Sequence, residues 1–376
     1  MKKVLFVATV VKTHIMQFHL PYLAMFKAQG WETAVAARND YADPADCVIP
    51  HCDTFYDIPF SRSVGSRDNI TAYRALKKLL REEHFDLIHC HTPVGAALAR
   101  LAARKARKSG TRVIYTAHGF HFFKGAALKN WLLYYPAEKC LAPLTDTLLT
   151  INREDHDIAR KKFRCRDVRY VPGVGVDLSR FVPMPEVRQP LREKLGLAAD
   201  ASVLLSVGEL IDRKNHRLIL EAMADPACPP EVRLLLVGDG AKKQELEALA
   251  KALGLEERVH FLGYRKDIPE LCAAADLFVF MSKQEGLPVA LMEALAAGLP
   301  AVCTPIRGNT DLLKPGVNGA FCAAEPRELA ETVAAYFREP EKFAAADYRE
   351  RRQSVEPFGL EKVETVMREV YGFGKE

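Results

Sequence analysis

The feature that most constrains the fold of this chain is a repeated alternation of short apolar runs with stretches of helical periodicity. Apolar runs bounded by glycine, proline and polar residues are typical of strands buried on both faces, and strands that alternate with helices form parallel sheets. Five runs lie in the first half and six in the second: KVLFVATV, ETAVAA, DLIHCH, RVIYTAH and DTLLTIN, then SVLLSVGEL, VRLLLVGDG, VHFLGY, LFVFMS, LPAVCTP and GAFCA. The pattern predicts an α/β protein with two doubly wound parallel sheets.

The segment YVPGVGVDLSRFVPMPEVRQP separates the two series and reads as a linker, because it contains four prolines and shows little periodicity. A chain of 376 residues is also too long for one ordinary core. We therefore predict an N-terminal domain over residues 1–178, a C-terminal domain over 179–355, and a final helical segment over 356–376 that packs back toward the N-terminal domain. Ligands of such sheets bind beyond the carboxyl ends of the strands, so a cleft between the domains is the expected site.

Charge is distributed unevenly between the two halves. Residues 1–178 contain 27 Lys and Arg against 17 Asp and Glu, a formal charge of +10, whereas the remainder contains 26 against 31, a charge of −5. A basic half is typical of proteins with an anionic partner, such as nucleic acid, an acidic membrane surface or a phosphorylated substrate; solvated helix faces are the alternative explanation. Aromatic residues are not interleaved as in nucleic-acid readers, so we expect no nucleic-acid partner.

The first residues, MKKVLFVATVVKTH, imitate a signal peptide, but the apolar run covers only Val4 to Val11 and no small-residue cleavage site follows. A buried first strand is the better interpretation. No apolar stretch reaches the roughly 18 residues of a membrane span. The nine cysteines are scattered and lack CxxC spacing, which indicates reduced thiols in a cytosolic enzyme rather than a disulfide framework or a zinc site.

The segment QEGLPVALMEALAAGLP carries two glutamates, Glu285 and Glu293, in otherwise apolar surroundings. We predict a helix from Pro288 to Ala297 that ends at Gly298, since proline is favoured at the first helical position and glycine after the last. Glu285 then lies in the loop that follows a strand, and Glu293 lies nearly two turns into the helix.

The backbone N–H groups between these two acids form a predicted anion site, because the first amides of a helix lack internal acceptors and the helix dipole favours negative charge. Carboxylates on either side of a diphosphate make sense if they accept hydrogen bonds from hydroxyl groups, as in a nucleotide-sugar with hydroxyls on both sides of its diphosphate. The alternative is that Glu285 only interacts favourably with the helix dipole and that Glu293 is exposed on the surface. The segment that carries the amides is Gly286, Leu287, Pro288 and Val289, in which every residue except Pro288 has a backbone N–H to donate.

A second motif, SVGELIDRKNH, places Arg213 and Lys214 in a short loop at the carboxyl end of a strand. Cations there neutralise a diphosphate and stabilise it as a leaving group. The alternative is a polar helix start with Asp212 as the N-cap. The turn VGDG lacks the full GxGxxG pattern and is weak evidence for a dinucleotide.

The motif EGLPVALME is similar to the E-x7-E signature of retaining GT-B glycosyltransferases of family 4. Further segments in that family's order and spacing are VPGVGVD, VGELIDRKNH and RVHFLGYRKDIPELCAAADLFVF, and two others, HIMQFHLPYL and YTAHGFHFFKGAALKNWLLYYPAEK, resemble the branch that builds capsule and exopolysaccharide units on a lipid carrier. The resemblance spans essentially the whole chain. It implies a GT-B fold, with two Rossmann-like domains facing across a cleft, the N-terminal one binding the acceptor and the C-terminal one the donor.

The resemblance also implies roles for single residues. Glu285 matches the glutamate that contacts the donor sugar, Glu293 the one that contacts ribose, and Lys214 the lysine that binds the donor phosphates. One position departs from the family, because Glu209 stands where an arginine is usual, and Arg213 is a candidate to replace that charge. The region matching the base pocket is Gly263, Tyr264 and Arg265.

On the acceptor side, the loop after the first strand lacks the glycines that are common in the family. We predict that Lys12 and His14 face the cleft there. His118 matches the family's histidine near the transferred sugar and is a predicted catalytic residue with Glu285 and Lys214, although a lone histidine is more often structural. The side chains of His89 and His91 point the same way from one strand, which places His91 on the acceptor side. We found no further ligand cluster and predict neither a metal nor a cofactor.

The implied reaction moves a sugar, an N-acetylhexosamine in our prediction, from a UDP-sugar to a hydroxyl of a lipid-linked saccharide, with retained anomeric configuration. The implied location is cytoplasmic, peripheral to the inner face of the cell membrane, through basic and amphipathic surface. Two alternatives share the fold, a nucleotide-sugar 2-epimerase and a non-catalytic nucleotide-sugar-binding protein. An NAD-dependent oxidoreductase is disfavoured because no GxGxxG follows the first strand.

Overall fold

The computed structural model describes residues 1–345 and 347–374 of the chain. They form two compact units. The first comprises Met1–Val174 together with the C-terminal residues from Glu364, and the second comprises Gly175–Val363. The change from one unit to the other at Val174 falls within the segment VPGVGVD, a few residues before the boundary of 178 that we predicted.

Seven parallel strands form the sheet of the first unit, in the order β3-β2-β1-β4-β5-β6-β7. Strand order reverses between β1 and β4, and the carboxyl ends of these two strands define the point where doubly wound sheets bind ligands. The strands are β1 (Lys3–Val10), β2 (Glu32–Arg38), β3 (Thr54–Asp57), β4 (Leu87–His91), β5 (Arg112–Ala117), β6 (Thr147–Thr150) and β7 (Asp167–Tyr170).

Six parallel strands form the sheet of the second unit, in the order β10-β9-β8-β11-β12-β13. Here the order reverses between β8 and β11. The strands are β8 (Val203–Val207), β9 (Arg233–Val237), β10 (Val259–Gly263), β11 (Leu277–Phe280), β12 (Ala301–Cys303) and β13 (Gly319–Phe321). Both predicted parallel sheets are therefore present.

Helices occupy most of the connections between strands, as parallel pairing requires. The α-helices are α1 (Met16–Phe18), α2 (Leu20–Ala28), α3 (Asp68–Glu82), α4 (Pro93–Ala102), α5 (Arg104–Lys108), α6 (Leu128–Leu141), α7 (Arg153–Lys162), α8 (Pro185–Lys194), α9 (His216–Ala224), α10 (Lys243–Ala252), α11 (Ile268–Ala274), α12 (Val289–Ala296), α13 (Asn309–Leu312), α14 (Pro326–Arg338), α15 (Tyr348–Gln353) and α16 (Leu360–Tyr371). One π-helical turn, Val11–Ile15, follows β1, and short 3-10 turns occur at Pro44–Asp46, Ala142–Leu144, Pro340–Lys342 and Glu356–Phe358. Within the described residues, no helix combines the length and apolarity needed to cross a membrane.

Two strands, β3 and β7, were absent from the sequence-based prediction. They are the two edges of the first sheet. Edge strands are covered less completely, and the sequences TFYD and DVRY accordingly hold only partly buried or exposed residues. A search for fully apolar runs therefore misses them. The end of the predicted linker is also regular, since PEVRQP begins α8.

The C-terminal residues complete the core of the first unit. The Tyr371 hydroxyl lies 2.9 Å from Nδ1 of His89. The Phe26 ring packs against two C-terminal rings. Its centroid lies 4.6 Å from that of Tyr371 and 5.0 Å from that of Phe373. All four side chains are buried. Tyr371 and Phe373 are therefore part of this unit's interior.

Candidate functional site

The helix α12 begins just beyond the carboxyl end of β11. Pro288 is its N-cap, and the Met292 N–H donates to the Pro288 carbonyl at 3.2 Å. The first amides of α12, starting with Val289, precede that bond and are open to an external acceptor. The predicted helix was one residue longer at each end, because Pro288 and Ala297 act as caps rather than helical residues.

Glu285 is the centre of an ion-pair network in the loop before α12. Its side chain is buried, and its Oε1 accepts bonds from Arg213 Nη1 and Lys214 Nζ, each at 2.8 Å. Arg213 also donates to the Gln284 carbonyl at 2.9 Å. A buried carboxylate needs such partners, since an unpaired charge is costly to remove from water. The residues predicted from the two separate motifs thus form one cluster.

The position of Lys214 follows from the local backbone. The helix α9 begins at His216 after Asn215, which adopts a left-handed conformation, so Arg213 and Lys214 lie in the loop that we predicted. The alternative with Asp212 as N-cap is wrong. The aliphatic chain of Lys214 packs beside Gly208, where an added Cβ would lie 3.4 Å from it, in ordinary van der Waals contact. The Lys214 ammonium lies 4.8 Å from the centroid of the Phe280 ring.

Arg307 supports this loop and was not identified from the sequence. Its side chain is buried, and its Nε donates to the Glu285 carbonyl at 3.0 Å. The next residue, Gly308, has φ of +82°, and a Cβ there would lie 2.5 Å from the Gly286 carbonyl oxygen. Arg307 follows β12 in the sequence TPIRG, so the strand-end reasoning that identified Arg213 could have found it.

Glu293 lies within α12 and is mostly buried. Burial raises its pKa from 4.5 to about 7, and the nearby Arg180 guanidinium lowers it in part. Arg180 is exposed and was not singled out from the sequence. A carboxyl group in this setting is sensitive to pH near neutrality and to a ligand that hydrogen-bonds to its charged form.

We expect Glu293→Gln to stabilise the protein above pH 7. The folded-state pKa is raised, so the native state holds a proton that the unfolded chain has lost, and stability falls as pH rises through the window from 4.5 to about 7. The amide cannot ionise, so at pH 8 the variant should unfold with a free energy higher by about 2–3 kcal/mol. Denaturant unfolding at pH 5 and pH 8 measures this; an equal effect at both pH values would contradict it.

The residues predicted to line a base pocket follow β10. The Gly238 N–H donates to the Gly263 carbonyl at 2.8 Å, which holds the ends of β9 and β10 together. Tyr264 is 75% exposed, so its ring is available for stacking. Arg265 Nε is paired with Asp267 at 2.7 Å. Glu209, at the position that departs from the family, is exposed.

Histidines converge at the carboxyl ends of β1, β4 and β5 in the first unit. His118 Nε2 and His91 Nδ1 lie 3.3 Å apart, and the ring centroids of His14 and His118 are 4.9 Å apart. The three predicted histidines, namely His14 and His91 on the acceptor side and the catalytic candidate His118, thus meet. His19, which sequence reasoning missed, joins them, with its ring stacked on His91 at 3.7 Å. Lys12 is exposed, and its ammonium lies 5.4 Å from the Tyr41 ring centroid.

Family profiles match most of the chain. Residues 187–353 match the profile described as glycosyl transferases group 1, and residues 3–152 match the profile described as glycosyl transferase 4-like. The two matches correspond to the donor-side and acceptor-side halves that the sequence motifs indicated.

Similar proteins agree with these matches. EpsD of Bacillus subtilis (strain 168), assigned as a glycosyltransferase, is 42% identical over 90% of this chain and 88% of its own length. A UDP-Gal:alpha-D-GlcNAc-diphosphoundecaprenol alpha-1,3-galactosyltransferase of Escherichia coli is 32% identical over 70% of this chain and 69% of its own. The crystal structure of Anabaena Alr3699/HepE in complex with UDP-glucose superposes with a TM-score of 0.79, at 22% identity over 99% of this chain and 100% of its own. The likeness confirms the predicted GT-B fold class.

Proposed function

The chain belongs to the group 1 glycosyltransferases, and from that premise we propose that it transfers a sugar from a UDP-sugar to a hydroxyl of a lipid-linked saccharide in capsular or exopolysaccharide synthesis. One observation carries the proposal. The open amides of α12 and the cations Arg213 and Lys214 meet around Glu285 beyond the end of β11. That combination suits a diphosphate flanked by hydroxyl groups.

The donor assignment rests on the same residues. We propose that the diphosphate lies on the amides of α12, that Glu293 accepts from the ribose hydroxyls, and that Glu285 accepts from the sugar. Tyr264 would stack on the base. The E. coli relative is named for a UDP-sugar donor, which supports UDP, and an N-acetylhexosamine is our proposal for the sugar.

In the proposed reaction, the bond between the sugar C1 and the β-phosphate oxygen breaks while the acceptor oxygen bonds to C1 from the same face. The acceptor proton passes to the departing phosphate oxygen, so the configuration at C1 is retained. Negative charge grows on that phosphate, where Lys214, Arg213 and the helix dipole stabilise it. We propose that these groups replace a divalent metal at the diphosphate. His118 would lie beside the transferred sugar.

The ion pairs of Glu285 require a rearrangement when the donor binds. Lys214 and Arg213 both bind Glu285 in the ligand-free protein, so a diphosphate competes with the carboxylate for them. When the cations turn to the phosphate, Glu285 becomes free to accept hydrogen bonds from the sugar. Donor binding would thus release the two cations to the diphosphate and the Glu285 carboxylate to the sugar at the same time.

The acceptor and membrane assignments rest on the first unit. Its helix α6 exposes Leu128 by 73%, Leu132 by 70% and Leu133 by 55%. Exposed leucines on a helix of a strongly basic half suit the surface of an anionic membrane. We propose a peripheral attachment to the inner face of the cell membrane, where a polyprenyl-diphosphate-linked acceptor would be available.

Two other activities of the same fold make different predictions. The family matches do not favour an epimerase, which would isomerise the donor in the absence of any acceptor. A binding protein without catalysis would leave the donor unchanged with every acceptor. Incubation of the protein with a UDP-sugar alone and with a lipid-linked acceptor separates the three.

We expect UDP and UDP-N-acetylhexosamines to stabilise the protein against heat in the presence of EDTA. A ligand at about 100 times its dissociation constant adds about 2.7 kcal/mol to the free energy of unfolding. The measurement is a thermal-shift panel of nucleoside diphosphates and nucleotide-sugars with and without magnesium. Preference for GDP would refute the donor assignment, and a shift that needs magnesium would refute the metal-free diphosphate site.

A further inference from the structure

Four histidines in the first unit lie close enough to bind one ion. Each of His14, His19, His91 and His118 offers a ring nitrogen, and the four atoms lie within 4.8 Å of one another. They come from four separate places in the fold, namely the π-helical turn after β1, the start of α2, the end of β4 and the residue after β5. This convergence was not visible in the sequence, where His14, His91 and His118 were considered separately and His19 was not considered.

Several ring nitrogens of this cluster lack the partners that buried polar atoms require, although His118 Nε2 and His91 Nδ1 lie 3.3 Å apart and can share one hydrogen bond. Among the described residues, His14 Nε2, His91 Nε2 and both ring nitrogens of His19 are buried without a hydrogen-bond partner. An orphaned buried nitrogen costs about 1–3 kcal/mol. Four orphaned atoms in one cluster therefore indicate a ligand. A cavity of about 10 Å³ borders His19, His91 and His118, and such a volume suits a single ion or water.

A fifth histidine, His89, lies next to the cluster, and both of its ring nitrogens have hydrogen-bond partners. His89 is fully buried beside His91, with ring centroids 4.1 Å apart. Its Nδ1 lies 2.9 Å from the Tyr371 hydroxyl, and its Nε2 lies 2.8 Å from Thr116 Oγ1. Both of its nitrogens are used, so it is excluded as a ligand. Burial alone therefore does not explain the unpaired nitrogens of His14, His19 and His91.

We propose that His14, His19, His91 and His118 bind a divalent transition-metal ion, with Zn²⁺ the best match. Neutral imidazole is a good ligand for Zn²⁺, and a structural zinc site takes four ligands in a tetrahedron. At about 2.0–2.1 Å from the ion, tetrahedral nitrogens are about 3.4 Å apart. The nitrogens must therefore approach one another by about an ångström, and the stacked rings of His19 and His91 must turn so that both point at the ion.

The other obvious occupant is an anion, which needs a positively charged lining. Burial disfavours the charged form of an imidazole and lowers the pKa of His14, His19, His91 and His118. The four rings therefore suit a metal ion better than an anion.

The proposal concerns residues of the first unit and is separate from the metal-free diphosphate site in the second, but it gives His118 the role of a metal ligand in place of a direct catalytic one. An ion here would tie the turn Val11–Ile15 to α2, β4 and β5. It would thus revise the sequence-based expectation of no metal, and it would make the acceptor-side loop depend on the ion for its conformation.

The test uses the full chain without a polyhistidine tag, because a tag would itself bind metal. We expect one equivalent of Zn²⁺ per chain by plasma mass spectrometry after dialysis, and an intense visible absorption spectrum with Co²⁺ that marks tetrahedral nitrogen ligation. His14→Gln and His19→Gln should weaken Zn²⁺ binding at least about tenfold. The matched control is His84→Gln, an exposed histidine of the same unit.

Failure of the metal site can be distinguished from failure of the proposed function, because the UDP thermal shift is measured on the same samples as Zn²⁺ binding. Less than one equivalent of Zn²⁺, a weak octahedral Co²⁺ spectrum, or equal Zn²⁺ affinity in the His19→Gln and His84→Gln proteins would overturn the metal site. The Co²⁺ spectrum of the unaltered protein decides the matter even if a glutamine variant fails to fold.

Discussion

Glu285→Gln should lower turnover by about 10²–10³-fold while UDP affinity stays the same or rises. The carboxylate holds Arg213 and Lys214 in the ligand-free protein, so its removal leaves both cations free for the diphosphate. The amide cannot supply the negative charge that we propose opposite the developing positive charge on the sugar. Turnover by product assay and UDP binding by calorimetry measure the two effects separately.

The control for this variant is Glu209→Gln. Glu209 follows β8 in the same unit and is exposed, so its neutralisation should change turnover little. Turnover and UDP affinity that fall together in Glu285→Gln would contradict the role that we propose. Such a result would mean that the acid only maintains the shape of the diphosphate site.

Lys214→Met should weaken UDP binding by about 10–100-fold and lower turnover further. A charge-assisted bond to phosphate is lost, and the stabilisation of the departing diphosphate is lost with it. Methionine keeps much of the apolar chain that packs beside Gly208, and Arg213 still pairs with Glu285, so the fold should persist. Calorimetric titration with UDP and steady-state kinetics give the two numbers.

Lys251→Met is the matched control, because Lys251 is an exposed lysine of α10 in the same unit. Removing an exposed charge there should alter UDP affinity little. Equal losses in Lys214→Met and Lys251→Met would show that UDP responds only to overall charge. Unchanged UDP binding in Lys214→Met would remove this lysine from the donor site.

The central strands of both sheets could be predicted from sequence because they are buried on both faces and are therefore apolar throughout. The strand β1 illustrates this, since Val4 to Val10 are all buried. The edge strands β3 and β7 could not be predicted from sequence. A strand with one open side keeps polar residues, so it does not show the continuous apolar run of a buried strand. Helix ends were predicted to within a residue where proline and glycine mark them, as at α12.

The candidate site was predictable where its residues share a motif and unpredictable where the fold alone unites them. Glu285 and Glu293 are linked by spacing, and Arg213 and Lys214 by adjacency. Its place after β12 could have marked Arg307 as a candidate, but its contact with the Glu285 carbonyl joins two loops 22 residues apart, and nothing in the local sequence reports that contact. His19 meets His91 only because β1 and β4 are neighbours in the sheet, a fact of topology.

The packing of Tyr371 and Phe373 against Phe26 has a consequence for biosynthesis. A ribosome adds about 5–20 residues per second, and N-terminal domains usually fold as soon as they emerge. Here the first unit cannot complete its interior until residues translated after the whole of the second are available, so Phe26 and His89 stay exposed to solvent for many seconds. A nascent chain of this design is a natural client for chaperones, and truncation before Glu364 should send it to proteolysis although its sheet is entirely encoded.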